Sequence, residues 1–97
     1  MRVSFSPDAL AEAEAITQRY RDDGSPAAAF DFVRELQISV RLLAEHPLIG
    51  TPGIRQTRRI ALKRFPYWLV YRPQGDDLRI IAIAHQRRRP GYWSKRH

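Results

Sequence analysis

Pro47, Gly50, Pro52 and Gly53 fall within seven positions and cut this chain into two parts that cannot share one periodicity. Before the break the pattern is helical. Ala9, Ala13, Ile16 and Tyr20 recur at spacings of four, three and four, which places them on one helix face. Ser6-Pro7-Asp8 precedes them as an N-cap, a proline at the first helical position and an acid in the first turn. Arg21-Asp22-Asp23-Gly24 ends that helix, and Ser25-Pro26 repeats the start signal. A second stripe follows through Ala29, Val33, Leu36, Val40 and Leu43, widened by Phe30 and Phe32. Two helices so closely joined predict an antiparallel hairpin. Ahead of both, Arg2–Phe5 alternates as a short strand.

After the break the period becomes two. Strands are expected over Thr57–Leu62, Tyr67–Arg72 and Leu78–His85, with Pro73-Gln74-Gly75-Asp76-Asp77 as the turn between the last two. Leu78–Ala84 is apolar on both faces except at Arg79, the mark of a central strand covered by helices on one side. The order β-α-α-β-β-β makes an α+β domain of two layers. With 97 residues the chain is expected to form one domain, residues 1–97, around one core.

Charge divides at nearly the same place. Residues 1–45 carry five basic and eight acidic side chains, whereas residues 46–97 carry twelve basic and two acidic. The second part reads as a surface for an anionic partner. With 43% hydrophobic residues the chain is too apolar for a disordered basic tail. The absence of cysteine excludes disulfides and thiolate metal sites, and His46, His85 and His97 lack ligand spacing, so no metal or cofactor is expected. No apolar run is long enough to span a bilayer, and Met1–Asp8 lacks the apolar core of a signal peptide. These features predict a cytoplasmic protein without a membrane partner.

Two clusters are candidates for chemistry. Arg55, Arg58, Arg59, Lys63 and Arg64 lie on the loop and first strand after the break, with Arg59 and Lys63 on one face if the strand is extended. They form either a solvated sheet face or a contact for an anion, and no acid adjoins them in sequence. The second cluster is His85, Arg87, Arg88, Arg89, Tyr92, Trp93, Lys95 and Arg96. Arginines interleaved with aromatics suit phosphate contact and base stacking. Alternatively Tyr92 and Trp93 fold back to complete the core, and His85 simply fixes the loop after its strand. No paired carboxylates, serine elbow or phosphate loop is present. Catalysis would have to be metal-free acid–base work, and RNA cleavage is the reaction that suits such a set.

Taken in order, several segments resemble the RelE/ParE family of toxins from bacterial type II toxin–antitoxin systems. They are Val3-Ser4-Phe5-Ser6-Pro7-Asp8-Ala9, Leu43-Ala44-Glu45-His46-Pro47-Leu48-Ile49-Gly50, Arg58-Arg59 and Phe65-Pro66-Tyr67-Trp68-Leu69-Val70-Tyr71. Ile80-Ile81-Ala82-Ile83-Ala84-His85 and Arg87-Arg88-Arg89-Pro90-Gly91-Tyr92-Trp93 complete the series. The resemblance implies a helical hairpin on an antiparallel sheet, a role in growth inhibition and plasmid stabilisation, and a cognate acidic antitoxin. It leaves two targets. The ParE-like branch poisons DNA gyrase, and the Phe-Pro-Tyr string, His85 and the Arg-Arg-Pro-x-Tyr-Trp tail look more like that branch. The RelE-like branch cleaves mRNA on the ribosome as a metal-independent endoribonuclease, and would use Arg59, Lys63, Arg87 and Tyr92. In either case Arg55, Arg58, Arg59, Lys63, His85, Arg87, Arg88, Arg89 and Trp93 are the residues expected to meet target or antitoxin.

Overall fold

The structure, a computed structural model, describes residues 1–97. Its elements are β1 (Arg2–Phe5), α1 (Pro7–Arg19), a π-helical turn (Tyr20–Gly24), α2 (Pro26–Glu45), β2 (Thr51–Pro52), a 3-10 turn (Ile54–Gln56), β3 (Arg58–Ala61), β4 (Tyr67–Gln74) and β5 (Asp77–His85). Both expected caps form. The Ser6 hydroxyl accepts from the Ala9 amide and the Ser25 hydroxyl from the Ala28 amide, each at 3.1 Å, with proline at the first helical position in both helices.

The five strands form one sheet in the order β1-β5-β4-β3-β2. Strands β3, β4 and β5 pair antiparallel as expected, and β2 adds to β3 in the same sense, but β1 lies parallel to β5, so the sheet is mixed rather than antiparallel. A parallel pair needs a long crossover, and the helical hairpin supplies part of it. Two boundaries also move. β4 continues through Pro73 and Gln74, leaving a tight turn at Gly75 and Asp76, where Gly75 takes φ 60. Pro73 is tolerated because β3 has already stopped pairing with β4 at Tyr71. The short β2 forms inside the segment expected to be loop.

An irregularity in β5 explains why its sequence is apolar on both faces. Val70 pairs with Ala82 but Tyr71 pairs with Ile80, so Ile81 is an extra residue. Leu78, Ile80 and Ile83 consequently join the core under the helices, while Ile81, Ala82 and Ala84 join a second cluster.

The main core lies between the helices and the inner sheet face, built on Ile16, Phe32, Leu36, Leu43, Leu69, Tyr71 and Ile80. Tyr20, Phe32, Phe65 and Tyr67 meet at ring separations of 5.4 to 5.8 Å. One stripe residue departs from expectation. Phe30 is 68% exposed, and Ser39 is buried on α2. Tyr71 then ties the helix-breaking segment to the sheet, its hydroxyl donating to the Pro47 carbonyl at 2.7 Å and accepting from the Gly50 amide at 3.0 Å. A Cβ on Gly50 would stand 2.6 Å from that hydroxyl, which is why glycine occupies the position.

On the outer face, the tail after β5 folds back and buries Trp93 against Val70, Ile81, Ala82 and Ala84. Trp93→Ala should therefore cost about 3 kcal/mol or more. Arg87 and Arg89 are exposed and form no salt bridge, so a double alanine variant should stay within about 0.5 kcal/mol of the parent. Denaturant unfolding measures both. A double variant as unstable as Trp93→Ala would assign those arginines to the fold.

Candidate functional site

The tail is positioned by a carboxylate from the other end of the chain. Beyond Ile80, β5 has no strand beside it on the β1 side, because β1 pairs only with Asp77–Ile80. Backbone groups on that open edge need partners. Ser6 donates its amide to the Ile80 carbonyl at 2.9 Å and its hydroxyl to the Ile81 carbonyl at 3.2 Å. Glu12 Oε1 accepts from the Ile83 amide at 3.0 Å. The same carboxylate accepts from Tyr92 Oη at 2.6 Å and from Arg96 Nη1 and Nη2 at 2.8 and 3.2 Å. Arg88 approaches it at 3.7 Å, and Asp8 lies 3.6 Å from Arg96 Nε.

Tyr92 is thereby enclosed. Its ring carries Arg88 stacked at 3.6 Å and Arg96 at 5.0 Å, while its hydroxyl is committed to Glu12. Burial first, then the bond to Glu12 and its negative charge, push the phenol far above its ordinary value despite the two arginines. The Arg96 guanidinium is also raised: burial opposes its charge, but the bond to Glu12 and the charges of Glu12, Tyr92 and Asp8 outweigh that.

The remaining expected residues are distributed around the outer sheet face. Arg59 lies over the Trp68 ring at 4.1 Å, and both line one small cleft with Arg88, Arg89, Tyr92 and Trp93. A larger cleft of about 380 Å³ runs between the tail and the β2 region, reaching Arg58, Arg59, Val70 and Trp93. Arg58 has a structural task, because its Nη1 donates to the Leu48 and Gly50 carbonyls at 3.0 and 2.9 Å. Lys63 and Arg64 occupy the turn before β4 and are exposed, and neither lines the cleft shared by Arg59 and Tyr92. Arg87 is likewise outside that cleft, its amide donating to His85 Nδ1 at 3.0 Å. His85 stacks edge-on with Tyr67 at 5.2 Å and fixes the loop after its strand. Of the four residues set out for ribonuclease chemistry, Arg59 and Tyr92 line one cleft; Lys63 and Arg87 lie outside it.

Glu12 is not among the residues singled out from sequence, and Asp8 is read there only as an acid in the first helical turn. They sit four apart on α1, beside the buried stripe of Ala9, Ala13 and Ile16. An acid flanking such a stripe, in a chain with a strongly basic second half, was the available signal. No acid adjoins the tail arginines in sequence, but Arg88 and Arg96 meet Glu12 in space.

Comparison with known proteins follows the same lines. A family model described as ParE toxin of type II toxin–antitoxin system, parDE, matches residues 3–90. Among solved structures the fold is similar to a chain of the chromosomal ParDE TA system from P. aeruginosa, with TM-score 0.77 and 23% identity. The match covers 88% of this chain and 95% of that one. No curated protein matches the chain significantly. No helix is long and apolar enough to cross a membrane.

The enclosed phenol predicts an alkaline limit to stability. Its folded pKa lies above the ordinary 10.0, so its contribution is complete below pH 10.0 and is lost as pH rises beyond it. Tyr92→Phe should flatten the loss of stability above about pH 10 and delete the last phenolate step in an ultraviolet titration. An unchanged titration curve would mean that Tyr92 is not held in this way.

Proposed function

This chain belongs to the ParE toxin family of type II toxin–antitoxin systems, and from that membership we propose that it inhibits growth by acting on DNA gyrase in the cytoplasm and is neutralised by an acidic cognate antitoxin. The observation that carries the choice of target is the enclosure of Tyr92. Ribosome-dependent RNA cleavage in this fold would need a group free to exchange a proton near the cations. The Tyr92 hydroxyl is instead bonded to Glu12 and is made harder to deprotonate. The nearby arginines cannot serve as bases, and His85 at the same cleft has Nδ1 occupied by the Arg87 amide and its ring packed edge-on against Tyr67. What the outer face offers is binding: exposed Arg59, Arg88 and Arg89 around a half-buried Trp68, with exposed Arg87 just outside that cleft.

Two features support an antitoxin contact. β2 pairs only with Arg58 and Arg59, so Ile60 and Ala61 have no strand on that side. An extended antitoxin segment added there would bring carboxylates among Arg55, Arg59 and Lys63. On the opposite layer, Phe30, Ile38 and Leu42 are exposed along α2 at helical spacing, an apolar face suited to an amphipathic partner.

The test is inhibition of gyrase supercoiling by the purified chain. Inhibition should be relieved by antitoxin, and should weaken by about tenfold in an Arg87/Arg88/Arg89→Ala variant if three exposed cations contribute about 0.5 kcal/mol each. Metal-independent cleavage of mRNA on programmed ribosomes, without any effect on gyrase, would overturn the proposal in favour of the endoribonuclease.

A further inference from the structure

A buried cation away from the tail latch has no acidic partner. Arg72, on the outer side of β4, is only 8% exposed. Its Nε donates to the Arg55 carbonyl at 2.9 Å and its Nη1 reaches the Arg96 carbonyl at 3.5 Å, and it forms no salt bridge. Its second amino nitrogen, Nη2, has no protein partner. Since no fully buried side-chain nitrogen or oxygen is left without one, Nη2 must retain solvent contact. Arg72 lines a cleft of about 210 Å³ between the 3-10 turn, β4 and the end of the tail.

That cleft differs from the others in composition. Arg55, Arg72, Lys95 and Arg96 line it with Gln56, Gln74, Ser94 and His97, and no apolar, aspartate or glutamate side chain contributes. Neither Arg55 nor Lys95 pairs with a carboxylate. Arg55 and Gln56 both hold left-handed backbone, φ 52 and 59, which is costly for residues with side chains. This conformation places the Arg55 carbonyl on Arg72 and leaves the Arg55 side chain at the cleft. A guanidinium removed from water without a counter-charge is also costly, and an arginine cannot escape by losing its proton.

The geometry points to a phosphate-binding site, with Arg72 as the fixed donor and Arg55 and Lys95 as flanking cations. Phosphate fits better than an acidic peptide, because a peptide would also present side chains and this cleft has no apolar wall to receive them. A phosphate needs only donors and positive charge. Its source is either a phosphodiester of a nucleic-acid backbone or free phosphate. The site does not depend on gyrase being the target.

The test follows arginine Nε–H signals by NMR in the whole chain. Inorganic phosphate is titrated at constant ionic strength, then a short random-sequence DNA duplex is added as competitor. Saturable movement of the Arg72 signal is expected. Arg55→Ala with Lys95→Ala should weaken phosphate about tenfold, since two charge-assisted contacts are lost. Arg21→Ala with Arg34→Ala, an equal change of charge on the helical layer, should leave it unaltered. Arg72→Lys keeps the charge and loses the fork, and gives a second measure if its unfolding curve matches the parent. Displacement of phosphate by the duplex identifies the phosphodiester as source, and its failure identifies free phosphate. The proposal is overturned if phosphate leaves Arg72 unmoved, if both double variants weaken binding equally, or if poly-glutamate binds there and phosphate does not.

Discussion

The Glu12 carboxylate joins the two ends of this protein. It completes the backbone hydrogen bonding of β5 where β1 stops, and it anchors the tail through Tyr92 and Arg96. These roles are coupled. A carboxylate that accepts bonds from a main-chain amide, a phenol and a guanidinium in a partly buried setting strengthens each of them, and removing it would leave the amide and the phenol unpaired and Arg96 with only the Ile81 carbonyl and Asp8. With the tail fixed there, Trp93 can cover Val70 and Ala82, and the outer face becomes a defined surface rather than an open sheet.

The same carboxylate divides the cations into two kinds. Of those that follow Glu45, only Arg88 and Arg96 reach an acid, and both reach Glu12. The others face solvent, stack on aromatics or donate to carbonyls, as Arg59, Arg58 and Arg72 do. A surface so composed retains its positive potential because its neutralising charge is concentrated at one edge. Long-range attraction of an anionic partner follows from that arrangement more than from the total charge.

Much of this was legible in the sequence where the cause is local. Ser6-Pro7 and Ser25-Pro26 specify their caps through a few neighbouring residues, and the Ala9–Ala13–Ile16 stripe needs only helical spacing. The parallel placement of β1 was not legible, because direction is set by the crossover and by an edge 75 residues away, as in the pair Arg2 and Asp77. Nor was the extra residue at Ile81, since an apolar run reads alike with or without a shift of register. Phe30 illustrates a different limit. Its spacing fits the edge of a buried stripe, but helix rotation on the sheet decides whether such an edge is covered, and here it is not. The cationic side of the candidate site was visible as composition. Its organising acid lay in the half of the sequence that seemed to belong to the helices alone.

A fold with cations around a tail tyrosine can serve either as a binding surface or as a proton-transfer site, and the state of the phenol separates the two. A tyrosine next to arginines alone would ionise more readily, because both cations favour phenolate. Burial of the phenol, reinforced by Glu12 against its hydroxyl, reverses the balance: the low-polarity setting disfavours the anion, and the carboxylate accepts the hydroxyl's hydrogen bond and repels the phenolate. Tyr92 becomes a structural donor, and the arginines stacked on its ring are oriented without being activated for chemistry. One acidic residue on α1 therefore stabilises the tail and, together with the burial it imposes, holds the Tyr92 phenol in its protonated form.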